Sequence, residues 1–403
     1  MRNDLLSRRN KSRLVLFVKH NRIFYYIYYA MMSLLILIFR VFVPIRNNRV
    51  LFVCSGGRTI GCNVKPLFKM MLNDATFKDN KFYVALNETS NFNHMDRRVH
   101  AIRINSLRYY LIAMSCRLWI TNVAIERGLR FKRKNNFYFN TWHSVHIKTL
   151  AHDISSSHVF SPVKQPEPDI LCAVGDYDKD IKSKAFRIPS SRVVITGHPR
   201  NDCLTNGSLD YDDIKFRLGI DVNDTRRIIL YAPTHRDNIE HISNAMSQVN
   251  GLDLDSIKTA LEENYIFLLR LHPSIANTTS LPDDEFFLNV SSYESFEELM
   301  YISDVLVSDY SGAFFDFCIL KRPMICFAYD LVDYQKRRGL YVEVEEFFNF
   351  PIAYSEADLI DSIRRVMAVD LFEPTIEFLN RHIDVRSEST KMCINLIKSR
   401  LSL

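Results

Sequence analysis

The sequence lacks most of the short patterns that identify common enzyme and metal-binding families. Its eight cysteines stand at unrelated intervals without a C-x-x-C pair, which argues against a disulfide framework and a zinc ribbon and favours reduced, mostly buried thiols. Walker A, G-x-S-x-G and H-E-x-x-H patterns are absent. P-loop NTPases, α/β-hydrolases and the common zinc proteases are therefore not leading candidates. The segment Gly56-Gly57-Arg58-Thr59-Ile60-Gly61 has the wrong spacing for a dinucleotide fingerprint and is interpreted as a tight strand-to-helix turn.

Glycine and proline are also scarce, with 11 and 13 among 403 residues, while 47% of the chain is hydrophobic and 24% is charged. This composition excludes a disordered, a collagenous and a polytopic membrane protein. At roughly 150 residues per domain, the length predicts two or three globular domains.

The charge is divided unevenly along the chain. Residues 1–204 carry 33 basic and 13 acidic side chains, a net charge of +20, whereas residues 205–403 carry 19 and 33, a net charge of −14. The first half would attract a polyanion or an anionic membrane face, and the acidic second half argues against a general nucleic-acid binder. Simple attraction between the two halves is the alternative explanation.

The N-terminus combines a basic segment with an apolar one. The first 22 residues hold seven basic side chains and one acidic one, and residues 23–39 are uncharged. Seventeen helical residues reach about 25 Å, short of the roughly 30 Å hydrocarbon core, and the four tyrosines among them favour the headgroup level. We therefore expect a monotopic or interfacial anchor, with a true span and a buried soluble helix as the alternatives.

Short apolar, β-branched runs alternate with helical stretches along the rest of the chain, as in parallel sheets. Predicted strands cover residues 50–54, 82–86, 99–104, 118–123, 137–140, 170–174 and 193–196, and then 228–232, 266–271, 286–290, 304–308 and 324–328. A polar stretch at residues 205–213 separates the two series. We predict an anchor at 1–45, a first doubly wound α/β domain at 46–204, and a second at 205–403 that ends in helices beyond Ser355.

Ligands of open α/β sheets bind beyond the carboxyl ends of the strands, so polar residues directly after apolar runs are the candidates for a site. Four such clusters are Thr141-Trp142-His143-Ser144, Thr234-His235-Arg236-Asp237, His272-Pro273 and Ser308-Asp309-Tyr310-Ser311-Gly312. In the last cluster Ser311 and Gly312 open a predicted helix, whose N-terminal N–H groups suit a phosphate; ordinary helix capping is the alternative. Isolated histidines are more often structural, but their shared location at strand ends favours a site.

Metal binding is not expected. His143-x-x-His146 has no carboxylate or cysteine at ligand spacing nearby, and Asp253-Leu254-Asp255 is interpreted as a helix cap.

These clusters, in this order, resemble the CDP-glycerol glycerophosphotransferase family, the primases and polymerases of teichoic acids and related capsule polymers. Asn140-Thr141-Trp142-His143 is similar to the family's Q-T-W-H, and Gly197-His198-Pro199-Arg200-Asn201-Asp202 to G-Y-P-R-N-D. Residues 231–237 resemble Y-A-P-T-W-R-D, and Arg270-Leu271-His272-Pro273 resembles R-x-H-P. Residues 303–311 resemble S-D-x-L-I-T-D-Y-S, followed by a matching Phe315-Asp316-Phe317.

The chain departs from the family pattern at several positions. After His143 the family usually has G-T-P-L-K where this chain has Ser144-Val145-His146-Ile147-Lys148. Gly312 replaces the second serine of D-Y-S-S, and His235 replaces a tryptophan. The first change concerns the acceptor and the transferred alditol more than the class of reaction.

The resemblance implies a GT-B-like fold, with two doubly wound domains facing a cleft, nucleotide in the C-terminal domain and acceptor against the N-terminal one. It implies transfer of a glycerol phosphate or related alditol phosphate from a CDP-activated donor to a hydroxyl of a cell-wall or capsule polymer, with release of CMP. His143 is then the base, and His272, Arg236 and the helix at Ser311 stabilise the pyrophosphate. The implied substrate-binding residues are Arg200, Asn201, Asp202, Thr234, Arg236, Asp237, Arg270, Ser308, Asp309, Ser311, Gly312 and Asp316.

No cofactor is expected, because the CDP-alditol is itself the activated substrate. The expected partners are CDP-glycerol or CDP-ribitol, an anionic polymer or lipid-linked acceptor, and the cytoplasmic face of the cell membrane, without nucleic acid. Two other functions stay open: a GT-B glycosyltransferase that uses a nucleotide sugar, and a membrane-bound protein that binds the polymer without turning it over.

Overall fold

The structure is a computed structural model that describes residues 22–90, 92, 94–126, 128–154, 167–234, 236, 248–249, 251–271, 281–367 and 372–403. Contacts within the chain define two compact units. Unit 1 contains the described residues of 1–60, 72–140 and 161–169, and unit 2 those of 61–71, 141–160 and 170–403. The predicted domain boundary between residues 204 and 205 stays a prediction.

Unit 1 is built on a parallel sheet with the strand order β3-β2-β1-β4-β5. The strands are β1 (Arg46–Val53), β2 (Lys81–Leu86), β3 (Val99–Arg103), β4 (Cys116–Thr121) and β5 (Phe137–Asn140). Helix α1 (Arg22–Phe42) precedes β1 and helix α3 (Leu107–Ser115) precedes β4. Ser106 starts α3 by accepting the N–H of Tyr109, as expected of an N-cap serine.

Helix α1 has two apolar faces with different surroundings. Ile36 is buried in the core of unit 1, and Tyr29, Met32 and Phe39 pack against the same core. This three-to-four-residue spacing is that of one helix face. The other face is exposed and equally apolar: Met31, Leu34, Ile38 and Val41 are between 50% and 78% exposed. Within the described residues, none of the helices has the length and hydropathy needed to cross a bilayer.

Unit 2 contains the parallel pair β6 (Ile170–Ala173) and β7 (Val193–Ile195), together with a second parallel sheet in the order β12-β11-β8-β13-β14-β15. The strands of that sheet are β8 (Arg227–Tyr231), β11 (Tyr265–Leu269), β12 (Phe287–Asn289), β13 (Val305–Ser308), β14 (Met324–Phe327) and β15 (Ile352–Ala353). A short antiparallel pair, β9 (Gln248–Val249) and β10 (Leu252–Asp253), lies before β11.

Helices follow or separate the strands of unit 2 and bury both faces of its sheet. They are α2 (Val64–Asn73), whose last residues belong to unit 1, α4 (Asp176–Phe186), α5 (Tyr211–Arg217), α6 (Leu254–Leu261), α7 (Phe296–Ile302), α8 (Ala313–Phe317), α9 (Leu331–Arg338), α10 (Val344–Phe347), α11 (Glu356–Val366), α12 (Glu373–His382) and α13 (Ser389–Leu401). Ile228 and Leu230 point into one apolar cluster and Ile229 and Tyr231 into another, because successive strand residues face opposite sides of the sheet.

The predicted α/β class with parallel sheets is therefore confirmed, and each of the twelve predicted strands overlaps an observed one. All eight cysteines are outside disulfides and six of them are buried, as expected from their spacing. The Gly56-Gly57 segment forms a 3₁₀ turn, Ser55–Gly57, directly after β1.

Candidate active site

The structure places most of the predicted site residues in unit 2, at the ends of its strands. His235, Asp237 and His272 lie outside the described residues, so their predicted roles stay predictions. The remaining predicted residues fall into three connected groups around His143, around Asp309 and around Arg270.

His143 lies in the segment that follows β5 and is exposed, whereas the preceding Thr141 and Trp142 are buried. Two side chains hold the main chain here: Asn63 Nδ2 donates to the Trp142 carbonyl at 3.0 Å, and Arg200 donates to the His143 carbonyl at 2.9 Å. Trp142 takes a left-handed backbone conformation with φ of 54°, which is uncommon for a bulky residue. The indole is buried and its ring centroid lies 4.8 Å from that of His143.

Arg200, Asn201 and Asp316 form a buried polar network instead of presenting their side chains to solvent. Arg200 donates to Asp316 Oδ2 at 2.6 Å, and Asn201 Nδ2 donates to Asp316 Oδ1 at 2.7 Å. His198 Nδ1 lies 3.1 Å from the same Oδ1. This network joins the 3₁₀ segment Pro199–Leu204 to helix α8, and through Arg200 to the main chain of His143.

Burial decides the charge states in this network. It lowers the pKa of His198 to about 4, and the adjacent Arg200 acts in the same direction. Burial alone would raise the pKa of Asp316, but Arg200 and the hydrogen bond from His198 hold it well below its ordinary value. The network therefore contains a neutral imidazole, a carboxylate and a guanidinium near neutral pH.

Asp202 lies at a helix end. Its two carboxylate oxygens accept the main-chain N–H groups of Ser389 and Thr390, each at 2.8 Å, at the start of α13. A carboxylate at a helix N-terminus stabilises the helix through both hydrogen bonds and the dipole.

The second group surrounds Asp309, directly after β13. Thr234 donates its main-chain N–H to Asp309 Oδ1 at 2.9 Å, and the Ser308 hydroxyl donates to the Ala232 carbonyl at 2.6 Å. Arg236 pairs with Asp309 at 2.9 Å and with Asp330 at 2.8 Å. These bonds tie the ends of β8 and β13 together.

Aromatic rings enclose Arg236. Its guanidinium carbon lies 4.6 Å from the centroid of the Tyr334 ring and 5.5 Å from that of Tyr310. Burial by itself lowers the pKa of Arg236, but Asp309 and Asp330 outweigh it and raise that pKa above its ordinary value. The charge of Arg236 is thus largely balanced by the protein's own carboxylates.

Arg270, at the end of β11, is placed differently. Its guanidinium donates to the main-chain carbonyls of Val290, at 2.9 Å, and Tyr293. It also lies 5.6 Å from the Phe296 ring. Burial lowers the pKa of Arg270, with Glu297 acting in the opposite direction. Hydrogen bonds to neutral carbonyls fix the side chain but leave its positive charge in place.

Ser311 and Gly312 lie at the start of α8. Ser311 Oγ accepts the N–H of Ala313 at 3.2 Å. A Cβ on Gly312 would lie 2.1 Å from Ser144 Oγ and 2.6 Å from the Val145 carbonyl oxygen. The segment after His143 therefore packs directly against the start of α8, and Gly312 is needed for this approach.

Sequence reasoning missed three residues that organise this region: Asn63, His198 and Asp330. His198 was visible in the segment that resembles G-Y-P-R-N-D, where it replaces a tyrosine, and Asp330 ends the last apolar run of the resemblance. Asn63 carried no sequence signal. Its importance lies in bonds to the Trp142 carbonyl and the Arg200 N–H, which are 79 and 137 residues away.

Asp253 confirms the capping interpretation of Asp253-Leu254-Asp255, because it accepts the N–H groups of Asp255 and Ser256 at the start of α6. Within the described part of the chain, no cluster of three histidine, cysteine or acidic side chains is arranged to hold a metal ion.

Comparisons with known proteins identify the family and the fold of the chain. The family model described as CDP-glycerol:poly(glycerophosphate) glycerophosphotransferase matches residues 35–382. The chain is 33% identical over 276 residues to a teichoic acid glycerol-phosphate transferase of Staphylococcus aureus, covering 65% of this chain and 70% of that protein. It is 27% identical to a teichoic acid poly(glycerol phosphate) polymerase of Bacillus spizizenii, covering 82% of this chain and 86% of the relative.

Among solved structures, the wall teichoic acid polymerase TagF is similar with a TM-score of 0.77 and 26% identity, covering 91% of this chain and 92% of the TagF chain. A UDP-N-acetylglucosamine 2-epimerase of Listeria monocytogenes is similar at a TM-score of 0.53 and 13% identity, covering 89% of this chain and 97% of the epimerase, which shows a shared fold alone. The GT-B-like fold implied by the sequence is thereby confirmed.

Proposed function

This chain belongs to the CDP-glycerol:poly(glycerophosphate) glycerophosphotransferase family, and from that membership we propose its reaction. The enzyme transfers an alditol-phosphate unit from a CDP-activated donor to a hydroxyl of a teichoic acid or related cell-wall acceptor and releases CMP. The acceptor oxygen attacks the phosphorus next to the alditol, the bond from that phosphorus to the bridging pyrophosphate oxygen breaks, and the acceptor proton leaves. The names of the relatives include glycerol-phosphate and ribitol-phosphate polymerases.

One observation carries this proposal furthest: an exposed imidazole, His143, on a main chain that two buried side chains hold in place. An attacking alcohol must lose its proton, and an imidazole with a pKa near 6.5 is well suited to accept it. Fixing the main chain lowers the entropic cost of aligning the base with its substrate. We assign His143 as the general base.

Negative charge that develops on the leaving CMP must also be stabilised. We propose that Arg270 supplies most of this stabilisation among the described residues, because carbonyl groups hold its guanidinium without neutralising it. Arg236 is already balanced by Asp309 and Asp330, so we assign it to shaping the donor site. His272, two residues after Arg270, keeps the donor-stabilising role that the family resemblance implies.

The roles proposed for Arg200, Asn201, Asp202 and Asp316 follow from their contacts. All four bond to other protein groups and hold the 3₁₀ segment Pro199–Leu204 between α8 and α13. We therefore propose that these residues hold the main chain of the site in place and do not bind substrate directly. Thr234, Ser308, Asp309, Ser311 and Gly312 remain the proposed lining of the donor site.

We propose that the enzyme works at the membrane surface through the exposed apolar face of α1. That face lies within the N-terminal half of the chain, whose basic charge would favour anionic headgroups and an anionic polymer. A peripheral or monotopic attachment on the cytoplasmic side agrees with a nucleotide-activated donor.

The deciding experiment incubates the purified enzyme and His143→Ala with CDP-glycerol, CDP-ribitol and a UDP-sugar, each with a short polymer acceptor. We expect CMP release and acceptors longer by one or more alditol phosphates in mass spectra, and a loss of about 100-fold or more in His143→Ala. UMP or UDP release with sugar addition would instead support a nucleotide-sugar transferase, and binding without turnover a polymer-binding protein.

A further inference from the structure

A second histidine, His146, lies close to the proposed base His143 and is hydrogen-bonded to Trp142, whose ring contacts that of His143. The Trp142 indole Nε1–H donates to His146 Nε2 at 2.7 Å, and His146 is only 7% exposed. Trp142 in turn lies under the imidazole of His143, with ring centroids 4.8 Å apart and an interplanar angle of 32°. His146 therefore contacts Trp142, and Trp142 in turn contacts His143.

This hydrogen bond requires one protonation state of His146. Nε2 accepts only if it carries no proton, so the ring must be neutral with its proton on Nδ1. Burial lowers the pKa of His146 well below its ordinary value, and electrostatic interactions with His143, Lys182, Lys148 and Arg338 act in the same direction. The acceptor is thus present throughout the neutral pH range.

The main chain and the indole are held by different groups. Asn63 and Arg200 fix the carbonyls of Trp142 and His143. The indole ring is held separately, by the hydrogen bond to His146 and by the ring of Phe186, whose centroid lies 4.7 Å away. Without the His146 acceptor, a buried indole N–H would lose its partner, which costs about 1–3 kcal/mol and favours rotation of the ring. The surface under His143 would then move.

The family usually has a proline at the position of His146, and a proline side chain offers no acceptor to an indole N–H. The Trp142–His146 contact therefore does not follow from the motif that the sequence resembles. We propose that His146 is a positioning residue that fixes the orientation of the His143 imidazole through the Trp142 indole. This inference rests on the proposed function of His143 as general base.

The test compares His146→Phe, which keeps a ring but removes the acceptor, with His146→Gln, whose amide oxygen reaches the position of Nε2. We expect kcat to fall about 10-fold or more in His146→Phe and to stay within about 3-fold of wild type in His146→Gln, because small misplacements of a catalytic group are costly. KM for the CDP-alditol donor should change little in either variant.

The pH profile gives a readout that a merely structural role would not move. The face of an aromatic ring attracts a cation, so we expect the Trp142 indole to favour the protonated form of the His143 imidazole and a displaced indole to favour it less. The acidic limb of kcat/KM should accordingly move to lower pH in His146→Phe and stay in place in His146→Gln.

The hydrogen bond itself is visible by NMR, because the chain has only two tryptophans. In protein labelled with ¹⁵N-tryptophan, the Trp142 indole signal should shift in His146→Phe, while that of Trp119, which donates to the Ala113 carbonyl, serves as the internal reference. An unmoved Trp142 signal would overturn the inference, and so would a moved signal with wild-type kcat and acidic limb.

A double variant separates this inference from the proposed function. On the His143→Ala background, His146→Phe should cause no further loss, because its effect passes through His143. If His143→Ala keeps full activity, the proposed base is wrong; if it loses activity while His146→Phe does not, the positioning role alone is wrong. Should His146→Phe fail to fold, His146→Leu makes the same comparison.

Discussion

At the scale of single residues, Ser144 and Gly312, two departures from the family pattern, lie in contact with each other. The family usually has glycine at position 144 and serine at position 312, and this chain has serine and glycine. In the structure these residues touch, because a Cβ on Gly312 would lie 2.1 Å from Ser144 Oγ. In this chain Ser144 supplies the hydroxyl at the contact, and Gly312 leaves the room for it.

We predict that Gly312→Ser lowers the free energy of unfolding by about 1–3 kcal/mol, the usual cost of overpacking. Ser144→Gly should restore part of that loss in the double variant, although the Val145 carbonyl remains 2.6 Å from the new Cβ. Urea denaturation of the two single variants and the double variant measures the coupling. A double variant no more stable than Gly312→Ser would show that the two positions are independent.

His198 gives a prediction about pH. Its pKa is about 4 in the folded protein against about 6.5 in an unfolded chain, because it is buried beside Arg200. Between these values the unfolded state binds a proton that the folded state does not, so stability rises with pH across this window. His198 thus favours the fold above pH 6.5, and that contribution is lost as the pH falls towards 4.

We expect His198→Asn to flatten the dependence of the melting temperature on pH between 4 and 6.5, measured by calorimetry. His152→Asn, a substitution of an exposed histidine in the same unit, is the matched control and should leave the slope unchanged. Equal slopes for wild type and His198→Asn would contradict the burial argument.

Residue contacts also show which roles could not be assigned from the sequence alone. The motif around Arg200 indicated that these residues matter, but a motif does not separate a side chain that binds substrate from one that holds a loop. The distinction depends on Asp316, which is 116 residues away in sequence and 2.6 Å away in space. For His143 the position after an apolar strand was informative, because strand ends in parallel sheets are where sites form.

At the scale of elements, most strands were predictable because they contain runs of buried apolar residues, as in Arg227–Tyr231 and Tyr265–Leu269. The pairs Gln248–Val249 and Ile352–Ala353 were missed, since two residues carry no periodicity. The helices after Ser355 were predicted, and Ser355 does cap α11, forming a capping box with Asp358.

This cap is the basis of a stability prediction. Ser355→Ala should lower the free energy of unfolding by about 1 kcal/mol, because it removes the acceptor of the Asp358 N–H. The denaturant midpoint reports the change. Ser399→Ala, in the last turns of α13, is the control and should be neutral or slightly stabilising, since alanine favours helix.

Helix α1 offers a test of membrane attachment. Replacing Met31, Leu34 and Ile38 with glutamine should move the protein from the membrane to the soluble fraction without unfolding it, because these side chains are exposed. The matched control replaces three exposed apolar residues elsewhere, Phe216, Val222 and Val332, and should leave membrane binding unchanged. Vesicle flotation measures both, and equal partitioning of the two triple variants would refute the role of α1.

At the scale of the whole molecule, the charge division separates a basic N-terminal half from an acidic C-terminal one. The basic side chains within residues 130–134 lie in two kinds of surroundings. Arg133 donates to the carbonyls of Arg40, Val43 and Met114, and Lys132 pairs with Asp169 at 2.9 Å. Arg130 and Lys134 are exposed. Two of these basic side chains are thus held by contacts within the protein and two are exposed to solvent, a difference that the sequence does not show.

We predict that Arg130→Glu/Lys134→Glu weakens the use of long anionic acceptors much more than that of short ones, because polyanion capture sums over many phosphates. The difference should shrink as salt rises, since screening acts on exposed charges. Arg381→Glu/Arg400→Glu makes the same change of charge in unit 2 and should affect both acceptors little. Equal losses for short and long acceptors would argue against polymer capture by this surface.

Helix α1 is part of the core of unit 1 through Ile36, and this has a geometric consequence. An enzyme attached to a bilayer through a flexible linker could adopt any orientation relative to the plane of the bilayer. Under the membrane attachment proposed for α1, a helix that both packs in the core and contacts lipid would fix the tilt of the sheet of unit 1 relative to the lipid plane. Docking α1 would then reduce the search for a lipid-linked chain to diffusion in two dimensions, with unit 1 meeting each acceptor at a constant angle and height.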